Sequence, residues 1–152
     1  MTTWADVVAA VPALAARVEE RFAIRKHKTL ATRRRDGSPR ISGIEVEFAD
    51  GEIFLGMMPD SIKLRDLERD PRLALHSPTE DPPDGRPGAW PGEAKIGGRA
   101  VEVDFPDAPV EGARRFRVDL TEVVFTHLNE AGDRLVVESW HPGHGSRRLE
   151  RR

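Results

Sequence analysis

Ser61 and Lys63 stand two positions apart, just after Pro59-Asp60 and at the head of the short polar-faced run 62–69. If that run is helical, its first turn leaves backbone N–H groups without partners and carries the positive end of the helix dipole. A hydroxyl and an ammonium added there can complete a cradle for a phosphate. The same two residues also fit an ordinary helix cap followed by a solvated lysine. His141 and His144 have a spacing seen in metal sites. Their Pro-Gly turn, however, offers no helical face to aim both imidazoles at one ion, and no carboxylate is paired with them. The chain has no cysteine, which excludes thiolate nucleophiles, disulfides and thiolate metal sites. It also lacks a Gly-x-Ser-x-Gly elbow, a Walker phosphate loop and a strand-to-helix Gly-x-Gly-x-x-Gly. No side chain is assigned as catalytic.

The elements that must position Ser61 and Lys63 are readable around them. Asp36-Gly37 and Asp50-Gly51 separate three runs rich in apolar and β-branched residues. An Asp-Gly pair in that setting signals a hairpin, since a type I′ turn needs positive φ at both central residues. Strands over 29–34, 40–48 and 52–57 therefore form a meander. A helix over 62–69 follows, capped by Asp60 or Ser61 and ended at Asp70-Pro71. Residues 72–77 return as a fourth strand.

N-terminal residues 3–26 are helical, with Thr3 and Asp6 placed for a capping box and Pro12 opening a second helix. Leu14, Val18 and Phe22 give that helix its apolar stripe. Arg25, Lys26 and Lys28 form a small basic cluster that fits a solvated edge. Segment 78–93, with its prolines and lone Trp90, is a long loop; Trp90 either anchors it or covers a flat ligand. Strands over 94–104, 121–128 and 134–140 follow, with 114–118 either strand or irregular. Gly97-Gly98 marks a bulge or a close backbone approach. Residues 141–152 read as a tail. The expectation is one domain over 1–152, mainly β: an antiparallel barrel of six or seven strands, with an N-terminal helix and a short helix after the third strand.

The ordered set L-A-T-x-x-x-D-G-x-P-R-x-S, D-G-x-x-x-L-G and S-x-K-x-R-D-L-x-R-D-P-R-x-A-L resembles the flavin- and deazaflavin-binding split-barrel family typified by pyridoxamine 5′-phosphate oxidase. The resemblance covers about a third of the chain closely. It implies that the second and third strands lie along the cofactor's tricyclic ring and that Ser61 and Lys63 meet its phosphate. It carries Arg40 and Ser42 onto second-strand positions facing the cofactor and Lys95 onto the start of the fifth strand. Trp140 and Arg147, near the C terminus, match a tail that reaches the partner subunit's cofactor. Met57, at the end of the third strand, could pack on the ring edge or fill the core. Many relatives have Ser-Arg-Lys where this chain has Ser61-Ile62-Lys63.

By the same resemblance the chain is a flavin- or deazaflavin-dependent oxidoreductase, moving hydride between a bound cofactor and a small-molecule substrate. A homodimer would hold the cofactor at its interface. With a single lysine for the phosphate, FMN is favoured over coenzyme F420. A non-catalytic flavin or haem binding and storage protein on the same barrel is the alternative. Nucleic acid is not an expected partner: net charge is −2, aromatic content is 6% and there is no tyrosine. With no apolar run of about 20 residues and no signal peptide, no membrane is expected and the cytoplasm is the expected compartment.

Overall fold

A computed structural model describes residues 1–152. Two helices come first, α1 (Trp4–Ala10) and α2 (Pro12–Ala23). Thr3 Oγ1 accepts from Asp6 N–H while the Asp6 carboxylate accepts from Thr3 N–H, which closes the expected capping box. Pro12 sits in the first turn of α2, where its missing N–H costs nothing. The strands are β1 (His27–Arg33), β2 (Pro39–Ala49), β3 (Glu52–Met57), β4 (Arg72–His76), β5 (Glu93–Val103), β6 (Arg114–Leu128), β7 (Leu135–His141) and β8 (Gly145–Arg151), with α3 (Ile62–Arg69) between β3 and β4.

The sheet is antiparallel and runs β3-β2-β1-β4-β5-β6-β7-β8, and a β3–β6 pairing closes its first six strands into a barrel. β7 and β8 extend beyond the closure. β6 serves both parts: residues 114–117 pair with β3 and 123–128 with β7. This explains why 114–118 and 121–128 are one strand instead of two. Where β6 changes partners, the β5–β6 register shifts between Gly97 and Gly98. A Cβ on Gly98 would lie 2.5 Å from the Asp119 carbonyl oxygen and 2.7 Å from Val118 Cγ1. Gly98→Ala is expected to cost about 1–3 kcal/mol through this overpacking, seen as a lower urea midpoint at unchanged slope.

Asp50 and Gly51 both have positive φ, 52° and 73°, as a type I′ turn requires. The Asp36-Gly37 turn differs. Only Gly37 is left-handed (φ 86°), and Gly37 N–H donates to the Arg34 carbonyl inside a longer connection whose ends pair Arg34 with Ser38. Residues 141–152 are not a tail but the second half of a hairpin, with His141 opposite Gly145.

One apolar cluster of 23 buried residues joins the barrel to the helices. Phe48 takes Trp4 edge-on (centroids 5.1 Å apart) and Phe22 at a tilt (5.7 Å). Ala5 N–H donates to the Gly51 carbonyl and Leu120 N–H to that of Thr2, which ties α1 to the β2–β3 turn and to β6. Lys28 departs from the solvated edge expected of it. It is buried on the inward side of β1 with Leu30 and Thr32, its ammonium donates to the Lys26 carbonyl, and burial lowers its pKa. In the 78–93 loop, Trp90 Nε1–H donates to the Glu80 carbonyl at 2.9 Å, so the indole anchors the loop. No helix is long and apolar enough to cross a membrane.

Candidate cofactor site

A groove of about 760 Å³ lies over β2 and β3. Its sides are Phe54, Met57 and Met58 from β3 and the residue after it, and Phe105, Pro109 and Ala113 from the β5–β6 connection. Gly43 of β2 and Gly56 of β3 both line it, and a Cβ built on either would meet no atom within 4 Å. These two glycines leave bare backbone in the groove, where any side chain would project into the space. A flat ligand can therefore approach the strands closely.

Lys63, in the first turn of α3, reaches back to this groove, where its ammonium lies 3.4 Å from the Gly43 carbonyl oxygen, a long contact. The other charges lining the groove are already matched. Arg115 lies 3.7 Å above the Phe54 ring and 3.1 Å from Glu47, and Glu45 is 3.4 Å from Lys26 and 4.0 Å from His27. Ser61 occupies the N-cap position but does not cap: its hydroxyl is buried, bonds nothing, and makes no side-chain bond to the helix. An unsatisfied buried hydroxyl is costly. Ser61 does not itself line the groove, but it opens the helix whose first turn carries Lys63 and leaves N–H groups without partners. Residues 61 and 63 thus fit a phosphate group by donor type and by what they lack.

The structure treats the other sequence candidates unevenly. Met57 is buried in the core and also lines the groove. Arg40 is directed elsewhere: its Nε–H donates to Asp66 Oδ2 at 2.7 Å, and Asp66 also accepts from Thr32 Oγ1 (2.8 Å) and Arg69 (3.0 Å). Ser42, opposite Leu30 in the β1–β2 pair, does not line the groove. Lys95 stands across from His76 and lines a separate shallow depression with Ala31 and Ile41. Trp140 is only 8% exposed and belongs to the core cluster, so its ring offers no free face for stacking within this chain. Arg147 lies on β8 opposite Ser139, in a cleft beside Pro12. His141 and His144 have no third His, Asp or Glu arranged with them to hold a metal.

Gly43, Gly56 and Arg115 are among the groove residues that sequence reading missed. Gly43 carried a usable signal, being a lone glycine inside an alternating strand. Gly56 carried the same signal beside the buried Leu55. Arg115 carried none, because its stacking on Phe54 depends on the β3–β6 closure.

No family model and no curated protein matches the chain. Solved structures do. A pyridoxamine 5′-phosphate oxidase-related, FMN-binding protein from Nostoc punctiforme superposes with a TM-score of 0.64 at 11% identity, over 93% of this chain and 96% of that one. A heme binding protein from Mycobacterium smegmatis gives 0.60 at 15% identity over 80% of this chain, which spans 57% of that protein's length. An F420 reductase gives 0.52 at 15% identity, over 68% of this chain and 93% of that one. The closed six-stranded barrel, α3 after its third strand and these superpositions together give the chain the split β-barrel fold of the pyridoxamine 5′-phosphate oxidase-like proteins.

Proposed function

We propose that the chain binds a flavin-type cofactor, FMN in preference to F420, in the β2–β3 groove and works as an oxidoreductase on a small molecule. One observation carries this reading: an ammonium without a carboxylate partner stands at a groove lined by two side-chain-free strand positions, and a buried unbonded hydroxyl lies two residues before it at the start of α3. Lys63 and Ser61 hold the phosphate. Gly43 and Gly56 admit the ring against backbone. Met58 and Phe105 keep water from its edges. When bound, the flavin supplies the hydride chemistry, and the protein supplies orientation and electrostatics. Since Arg115 is matched by Glu47, Lys63 is the one spare cation of the groove, which suits a single phosphate better than a polyanionic tail.

A second copy of the chain covers the open side of the groove in this proposal. The exposed apolar side chains Met58 and Ile62 beside the Lys63 turn are suited to that contact. Gly56→Leu is expected to weaken FMN binding about tenfold or more, or ~1.4 kcal/mol, while the unfolding midpoint stays within a few degrees. A fluorescence titration with a parallel melt checks both. Turnover itself is tested by adding a reduced nicotinamide nucleotide anaerobically to the FMN-loaded protein. Bleaching of the flavin band supports an oxidoreductase, and a tightly bound but redox-silent flavin supports storage.

His27 lines the groove and gives the haem reading one specific foothold. In that case haem would bind with a Soret band that His27→Ala shifts.

A further inference from the structure

A second concavity, of about 520 Å³, lies where the last turn of α3 meets the β1–β2 turn and the start of β4. Arg33, Arg34, Arg35, Arg69, Arg72 and Arg99 line it, and Asp70 is its sole carboxylate. Arg72 grips both Asp70 oxygens, at 2.9 and 2.7 Å, and Arg33 stands 3.7 Å away. Arg69 is engaged by Asp66 at 3.0 Å and by the Arg33 carbonyl at 2.7 Å. Arg34, Arg35 and Arg99 form no ion pair. Arg72 and Arg99 are also direct cross-strand partners in the β4–β5 pair, an arrangement that like charges disfavour. Even if Asp70, Asp66 and the nearby Asp36 each neutralise one guanidinium, three positive charges remain.

Such self-repulsion destabilises a fold unless an anion relieves it. Guanidinium forks match phosphate oxygens two at a time. A single phosphate, at about −2, would leave the excess only partly balanced, whereas two or three linked phosphates would cancel it. The basin has no aromatic side chain on which a base could stack, and Pro71 is its one apolar side chain.

We infer that this basin binds an oligophosphate, an anion with two or more linked phosphate groups, and reads the phosphates alone. The site is separate from the β2–β3 groove and does not rest on what the groove binds.

Calorimetric titration of the full chain tests this with tripolyphosphate, orthophosphate, ATP and a short single-stranded DNA. Tripolyphosphate should bind one per chain, at least about tenfold tighter than orthophosphate, and weaken steeply as salt is raised. ATP should bind within a few-fold of tripolyphosphate. The Arg34→Ala/Arg99→Ala double variant removes two unpaired guanidiniums. It should lose at least about tenfold in tripolyphosphate affinity, keep its affinity for FMN, and melt no lower than the parent without ligand. Several results would overturn the assignment: equal binding of orthophosphate and tripolyphosphate, unchanged affinity in the double variant, or a lowered ligand-free melting point in it. Preference for ATP over tripolyphosphate by more than tenfold, or binding of the DNA alone, would do so as well.

Discussion

Asp66→Ala should lower the free energy of unfolding by about 3–5 kcal/mol, the range for breaking a buried ion pair from one side. The carboxylate is 2% exposed and accepts from Thr32 of β1, Arg40 of β2 and Arg69 of its own helix. Removing it strands the buried Thr32 hydroxyl and the partly covered Arg40 guanidinium, and both lose their acceptor. Asp66→Asn keeps the shape and one acceptor oxygen, so its loss should be smaller. Chemical denaturation at constant slope measures both variants.

The pH dependence follows from the same contacts. Burial is the largest influence on Asp66 and opposes ionisation. The hydrogen bonds from Arg40, Thr32 and Arg69 together outweigh it, so the pKa is lowered. A carboxyl whose folded pKa lies below its unfolded value of about 3.9 contributes in full at neutral pH. That contribution fades as pH falls below about 4 towards the folded value, because the unfolded chain takes up the proton first. The parent should therefore lose stability more steeply than Asp66→Ala across that acid window. Asp66 also anchors α3 to β1 and β2, so the alanine variant should bind cofactor more weakly by displacing Lys63 at the other end of the helix.

Lys63→Ala should weaken FMN binding by about 1.5–3 kcal/mol, the range for a hydrogen bond to a charged group, or roughly 10- to 150-fold. Stability should change little. The lysine is partly exposed, and its one contact is the long 3.4 Å approach to Gly43, so little native structure depends on it. Lys63→Arg should recover part of the loss, since charge is kept but the reach and shape of the donor change. Ser61→Ala should cost less than the lysine change. It also removes a buried unbonded hydroxyl, so the protein without cofactor should be no less stable than the parent.

Much of the frame that carries Lys63 was legible in the residues. β3 and α3 fall at the expected boundaries, because Asp50-Gly51 sets the start of one and Asp70-Pro71 the end of the other. β8 was not legible. Every residue of Gly145–Arg151 is exposed, and the strand pairs only with β7, so it carries none of the apolar alternation by which a strand is recognised. The continuity of β6 was hidden for a related reason. Polar Asp119, Thr121 and Glu122 sit where the strand leaves β3 for β7, and they interrupt the pattern at a change of neighbours, not at an end.

At the candidate site, local signals placed Ser61 and Lys63 at the start of α3, just after β3. They could not show that Arg40 is taken up by Asp66, 26 positions away, or that Arg115 folds onto Phe54. Both facts are made by tertiary pairing.

The most direct test compares FMN with riboflavin, its analogue without the phosphate, on the parent and on Lys63→Ala. If Lys63 and Ser61 grip the phosphate, the parent binds FMN at least about tenfold tighter than riboflavin, and Lys63→Ala lowers FMN affinity towards that of riboflavin while leaving riboflavin binding nearly unchanged. Equal binding of the two ligands by the parent, or a preference for FMN that survives intact in Lys63→Ala, would contradict the account.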